Sequence, residues 1–145
     1  MIEVEAWHAW GTAILRVTLG AIYVTHGWLA AFVIGPEGMG GYITRMAYPP
    51  AAAPLLTWYL IVVHLVGGVL IIVGLFTRPA AIAQVPIMAS ALFLLHWNQG
   101  FFMKESGGYE YSLLVLASTL ALALLGPGAA SVDHKRSLGP RIPMP

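Results

Sequence analysis

The 145-residue chain has no cysteine. That excludes disulfides, thiolate metal sites, iron–sulfur clusters and thiol redox chemistry on this chain. Charge is scarce: 9% of residues are Asp, Glu, Lys or Arg, where a soluble domain carries about 25%. With a net charge of +1 and no basic patch, nothing supports a nucleic-acid partner. The N-terminus, MIEVEAWHAW, lacks the basic n-region of a secretory signal, so the first apolar segment is expected to be retained as a helix. No repeat of fixed period is evident. No two histidines stand at i, i+3 or i, i+4, so no local metal motif exists and no metal site is expected.

What is present is apolar sequence in long runs. The chain is 59% hydrophobic with mean hydropathy +0.79. Trp58 to Arg78, WYLIVVHLVGGVLIIVGLFTR, has no Asp, Glu or Lys and fits a span of about 20 residues. In hydrocarbon each backbone polar group must be paired within the segment, which demands a helix. Residues 17–36, 46–77, 79–103 and 111–132 carry no Asp, Glu, Lys or Arg. The expected fold class is therefore an all-α integral membrane protein, a bundle of four transmembrane helices. The helices are expected at about 10–33, 57–76, 80–97 and 110–125, within one domain over residues 1–133. The polar, basic tail 134–145 is expected to be kept from helix by its prolines. The Gly- and Pro-rich stretch 35–56 reads as a connection, with a short interfacial helix over Tyr42 to Tyr48. Pro86 is expected to kink the third helix.

Loop Lys and Arg set orientation. Arg78, Lys135, Arg136 and Arg141 fall on the side of the termini, against Arg45 and Lys104 on the other. This excess predicts both termini in the cytoplasm. Trp7, Trp10, Trp58, Tyr59, Trp97, Tyr109 and Tyr111 fall near the span ends, as an aromatic belt would.

Each span brings one titratable group to a similar depth. At 1.5 Å rise per residue, His64 lies roughly 21 Å and His96 roughly 27 Å from the turn at Arg78. His26 lies roughly 22 Å from Gly11, and Glu110 roughly 24 Å from Gly126. All four thus fall in the outer half of a core about 30 Å thick. Buried polar groups in a bilayer face a cavity or each other. His26, His64, His96 and Glu110, with Tyr23, form a candidate cofactor pocket. Neutral imidazoles there could hydrogen-bond a quinone carbonyl or ligate haem iron; quinone is the preferred reading. The bland alternative is histidines that simply bond a neighbouring helix or water.

Arg16 lies low in the first helix. It either snorkels to the interface or pairs with an acid or carbonyl from another segment, Asp133 being the candidate for a structural ion pair. Arg16, Gly20, Tyr23 and Gly27 form one stripe expected to face the bundle interior. His64, Gly68, Ile71 and Leu75 form a similar stripe on the second helix, where glycines allow close backbone approach.

Several of these stretches resemble the DoxX family of small bacterial membrane proteins. LRVTLGAIYVTHGW, with Arg16, Gly20, His26 and Gly27, is similar to the family's first helix. HLVGGVLIIVGLFTRPAA, HWNQGFF and the closing GPGAASVD resemble later family segments in the same order. Two positions depart from the pattern. His64 stands where the family often has an acidic residue, and Trp28-Leu29-Ala30-Ala31 where it often has a lysine. Roles of those two groups are not carried over. The resemblance implies a four-helix protein of the bacterial inner membrane in redox company, since relatives include a subunit of thiosulfate:quinone oxidoreductase. The leading functional expectation is a non-catalytic subunit of a larger respiratory or photosynthetic electron-transfer complex, in contact with the lipid bilayer and other membrane subunits. The alternative is a stand-alone redox protein binding quinone or haem in the His/Glu pocket. A small-solute or lipid transporter ranks last, because four spans without duplication make a poor carrier.

Overall fold

The computed structural model describes residues 2–102 and 107–137, and every regular element within them is helical apart from one isolated bridge residue, Gly107. Helix α1 spans Ile2–Trp28 and runs on through a π turn, Leu29–Val33. Helix α2 spans Gly35–Arg45. A 3₁₀ turn, Pro50–Ala52, leads into α3, Ala53–Val62, which continues through a second π turn, Val63–Gly67, into α4, Gly68–Val73. Helix α5, Thr77–Ser90, ends in a third π turn, Ala91–His96, and a 3₁₀ turn, Trp97–Gln99. Helices α6, Glu110–Leu125, and α7, Val132–Ser137, complete the chain.

Three continuous rods, Glu3–Val33, Pro50–Val73 and Thr77–Gln99, are long and apolar enough to cross a membrane, while α6 is a shorter apolar helix of 16 residues. α1 packs on the α3–α4 rod and on α6, and α5 packs on the same two, which closes a four-rod bundle. Its core joins Leu19 and Tyr23 of α1, Ile71 of α4, Ala81 and Met88 of α5, Leu92, and Val115 and Leu122 of α6. The two glycine stripes meet. A Cβ on Gly20 would lie 2.8 Å from the Gly68 carbonyl oxygen, and one on Gly68 would lie 2.9 Å from the Val24 nitrogen. Only glycine lets α1 and α4 approach this closely.

Several boundaries differ from expectation. α1 begins at Ile2 rather than near Trp10, because Glu3 and Glu5 in its first turn suit the helix N-terminus. The second rod starts at Pro50, since Pro54 sits in the first turn of α3, where its missing N–H costs nothing. That rod stops at Gly74, whose φ of +70° is left-handed, ahead of the expected end at Phe76. α5 then starts at Thr77 instead of Ala80. The segment expected to be mostly irregular from residue 35 is helical from Gly35, with Pro36 and Glu37 supplying an N-terminal signature that outweighs its glycines. The tail begins as helix, because Val132–Ser137 precedes its prolines. Residues 138–145 lie outside the described residues, as do Lys104 and Arg141 of the charge count.

Candidate functional site

The three long rods share one irregularity: each holds a single π turn. A π turn adds a residue to the helical ring, redirects side chains and leaves a carbonyl without its usual partner, and such turns recur at functional sites. Here all three lie around one cavity. Leu29 and Ala30 come from the first, His64 from the second, and Ala91, Leu95 and His96 from the third. Pro86 lines the same space from α5, and Tyr111, Ser112 and Val115 line it from α6. α2 lies across α3 and covers the cavity with Met39, Tyr42 and Ile43. The cavity volume is about 420 Å³, within the ~300–1,000 Å³ of small-molecule pockets.

Four of the five candidate pocket residues, Tyr23, His26, His64 and His96, line this cavity. Glu110 does not line it. Glu110 opens α6, where its backbone N–H donates to the Phe101 carbonyl at 3.0 Å, and the cavity wall starts one residue later at Tyr111. Tyr23 is buried, with its hydroxyl bonded to Thr119 Oγ1, and Thr119 donates in turn to the Val115 carbonyl at 2.7 Å. The Tyr23 ring meets His64 edge-on at 5.1 Å between centroids. His64 is 6% exposed and its Nδ1 has no hydrogen-bond partner. His26 sits at the exposed rim, where Nδ1 donates to the Ile22 carbonyl at 2.9 Å and the ring stacks on Tyr111. His96 Nδ1 pairs with Gln99 Oε1 at 2.8 Å.

Sequence reasoning passed over Gln84. It is fully buried, and its Nε2 donates to the Val63 carbonyl at 2.8 Å, at the start of the second π turn. A signal existed: Gln84 is an amide in a charge-free span, where polar side chains are costly. Depth matching considered titratable groups, so it did not reach the amide. Thr119 was missed for the same reason.

Arg16 lies at the other end of the bundle and does not snorkel: it is 2% exposed. Nη1 donates to the Ile71 carbonyl at 3.1 Å and to that of Ile72, while Nη2 donates to Ala129 and Ala130 at 3.3 and 3.2 Å. These carbonyls belong to the C-terminus of α4 and to the loop after α6. Asp133 meets the same junction through the backbone, accepting from Phe76 N at 3.1 Å and from Thr77 N at 2.9 Å. A Cβ on Gly74 would press on Arg16 and Ser131.

The DoxX family model matches residues 11–97. An uncharacterized protein of Haemophilus influenzae is 31% identical over 137 residues, covering 93% of this chain and 97% of the relative. Inner membrane protein YqjF of Escherichia coli is 30% identical over 133 residues, covering 86% and 90%. "Putative oxidoreductase CatD" of Bacillus subtilis is 29% identical over 123 residues, covering 85% and 84%. No solved structure matches the chain. The rods, their glycine seam and this match over most of the three long helices agree: the chain belongs to the DoxX family and is a multi-pass protein of the bacterial inner membrane.

Proposed function

We propose that the protein is a membrane redox component whose cavity binds the headgroup of a quinone-class electron carrier. The observation that carries this reading is His64, a buried imidazole that lines a largely apolar cavity between membrane-spanning rods. An imidazole in such a place is costly unless the protein or a ligand gives it a polar partner. A quinone suits the residues present: its flat apolar ring matches the Leu, Ile and Met walls, and its polar oxygens match the imidazoles. His64 and Tyr23 would hold it from the core side, His26 and His96 from the rim. The relative CatD carries an oxidoreductase name, which agrees with this chemistry.

With no cysteine, the chain supplies no thiol couple of its own. Electrons reaching a bound quinone would come from a partner, so the protein acts as a subunit or close companion of a larger redox assembly. In this reading α6 crosses the bilayer as a fourth span, both termini face the cytoplasm and the cavity opens in the outer leaflet. The excess of Arg78, Lys135, Arg136 and Arg141 over Arg45 and Lys104 in the sequence supports that orientation.

The test is equilibrium binding of decylubiquinone to the purified protein in nanodiscs. One saturable site per chain above empty nanodiscs is expected; uptake no greater than that of empty discs sinks the reading. A reduced-minus-oxidised spectrum of the same preparation decides the haem alternative.

A further inference from the structure

We propose that the carrier enters the cavity sideways from the bilayer, through the seam between α1 and α6, and that His26 and Tyr111 form the gate. The inference rests on the quinone reading above and deepens it, since it assigns the route and the residues that admit the carrier.

The neighbouring seams are pinned by contacts that a guest does not part easily. Between α1 and the second rod, backbone meets backbone: a Cβ on Gly27 would lie 2.9 Å from the Leu65 nitrogen. Between α3 and α5, the Tyr59 hydroxyl donates to the Ala83 carbonyl at 2.7 Å and Gln84 Nε2 to the Val63 carbonyl at 2.8 Å. The start of α6 is tied to the end of the third rod. The Tyr109 ring stacks on Trp97 at 5.0 Å, and the Tyr109 and Glu110 N–H groups donate to the Gly100 and Phe101 carbonyls at 3.0 Å each. Above the cavity, the loop after α2 is held to α5 by the Tyr48 hydroxyl and Ser90 Oγ, 2.8 Å apart. Below it, the hydroxyls of Tyr23 and Thr119 join α1 to α6.

Above the Tyr23–Thr119 pair, the α1–α6 seam is spanned by two rings. His26 from α1 and Tyr111 from α6 stack with centroids 6.2 Å apart and planes at 30°. Both line the cavity and both are exposed on the outside of the bundle, so inside meets outside at this pair. Tyr59 is as exposed as Tyr111, 36% each, but its hydroxyl is bonded across its own seam. Tyr42, also exposed, lies under the Arg45 guanidinium at 5.0 Å. A ring stack is held by contact and parts when one side chain changes rotamer. His26 is the fixed post: a carbonyl only accepts, so Nδ1 carries the proton and donates to Ile22 at 2.9 Å. Tyr111, the second residue of α6, is the moving leaf. Leu29 stands three residues on from His26 and Leu114 three on from Tyr111, so each shares a helix face with its gate residue. Both are exposed. A flat headgroup fits between parted rings, and its apolar tail stays outside on Leu29 and Leu114.

Two measurements on the full chain in nanodiscs test the route, with decylubiquinone as the probe. Because the chain has no cysteine, the double variant His26→Cys/Tyr111→Cys offers a single thiol pair, which a reducible bis-thiosulfonate reagent can bridge. Bridging before loading should slow uptake by about tenfold or more, and bridging after loading should slow release by a similar factor. Reduction of the bridge should restore both rates. Residues that only bind the headgroup would not trap a ligand already inside. The second measurement uses the wild type and decides the matter even if the double variant fails to fold. A decylubiquinone with a diazirine at the end of its tail is photolysed while bound, and the peptides whose labelling excess decylubiquinone suppresses are mapped. Label is expected on α1 and α6. Label mainly on α2, α3 or α5 would overturn the proposal, as would a bridged protein that loads and releases at the unbridged rate. Saturable binding with either of those results overturns this inference alone, whereas no saturable binding to the wild type overturns the quinone reading with it.

Discussion

At the Arg16 junction one guanidinium meets four carbonyls, Asp133 meets the N–H groups of Phe76 and Thr77, and Ser131 bonds Gly128 at 3.0 Å. Near the cavity, His64 Nδ1 and Gln84 Oε1 are buried without hydrogen-bond partners, as Arg16 Nε is at the junction. Both regions bury polar atoms between the same rods. At the junction the unmet atom belongs to a guanidinium whose other two nitrogens are bonded, whereas beside the cavity the His64 imidazole has no hydrogen bond through Nδ1. The junction also holds strain: Phe76 and Ala130 flank it at φ of 50° and 51°, conformations that persist only where surrounding contacts fix them. The difference separates what holds the bundle together from what the bundle holds open. Polar contacts at the junction close α4 and the segment after α6 onto α1. At the other end the three π turns line the cavity.

Substitutions at the junction should cost stability, and those at the cavity should not. Arg16→Leu takes the donor from four carbonyls, one of them buried, and should destabilise by about 3 kcal/mol, read as loss of folded protein after mild detergent extraction. Gly74→Ala places a Cβ at positive φ against Arg16 and Ser131; a cost of about 1–3 kcal/mol is expected in thermal unfolding. Asp133→Ala removes acceptors for the first N–H groups of α5, and should cost about 1–2 kcal/mol, as helix caps do. His64→Leu replaces an unpartnered imidazole with an apolar side chain and should change stability by less than about 1 kcal/mol. If His64→Leu were as damaging as Arg16→Leu, the two ends would not differ in kind.

Much of this division is legible in the sequence. The charge-free runs placed the rods, and the Arg16–Gly20–Tyr23–Gly27 stripe is buried along its whole length. Equal depths of His26, His64 and His96 gathered them towards one level, where they line one cavity. Glu110 matched them in depth but not in direction, since depth along a helix does not say which way a side chain points. The π turns left no mark in the sequence, because one extra residue per turn alters the apolar period too little to detect over five or six residues. The short helix expected over Tyr42 to Tyr48 overlaps only the end of α2; its earlier turns were hidden by their glycines, which lower helix propensity in isolation. The partners of Arg16 include backbone carbonyls, which every residue carries, so no side-chain pattern marks which ones.

The most direct test of the central claim is to measure, on one preparation of His64→Leu in nanodiscs, both its melting temperature and its affinity for decylubiquinone. The account predicts a melting temperature within a few degrees of wild type and binding weakened by about tenfold. A variant that binds as wild type does, or that loses its fold along with its ligand, would contradict the claim that this histidine serves the cavity and not the bundle.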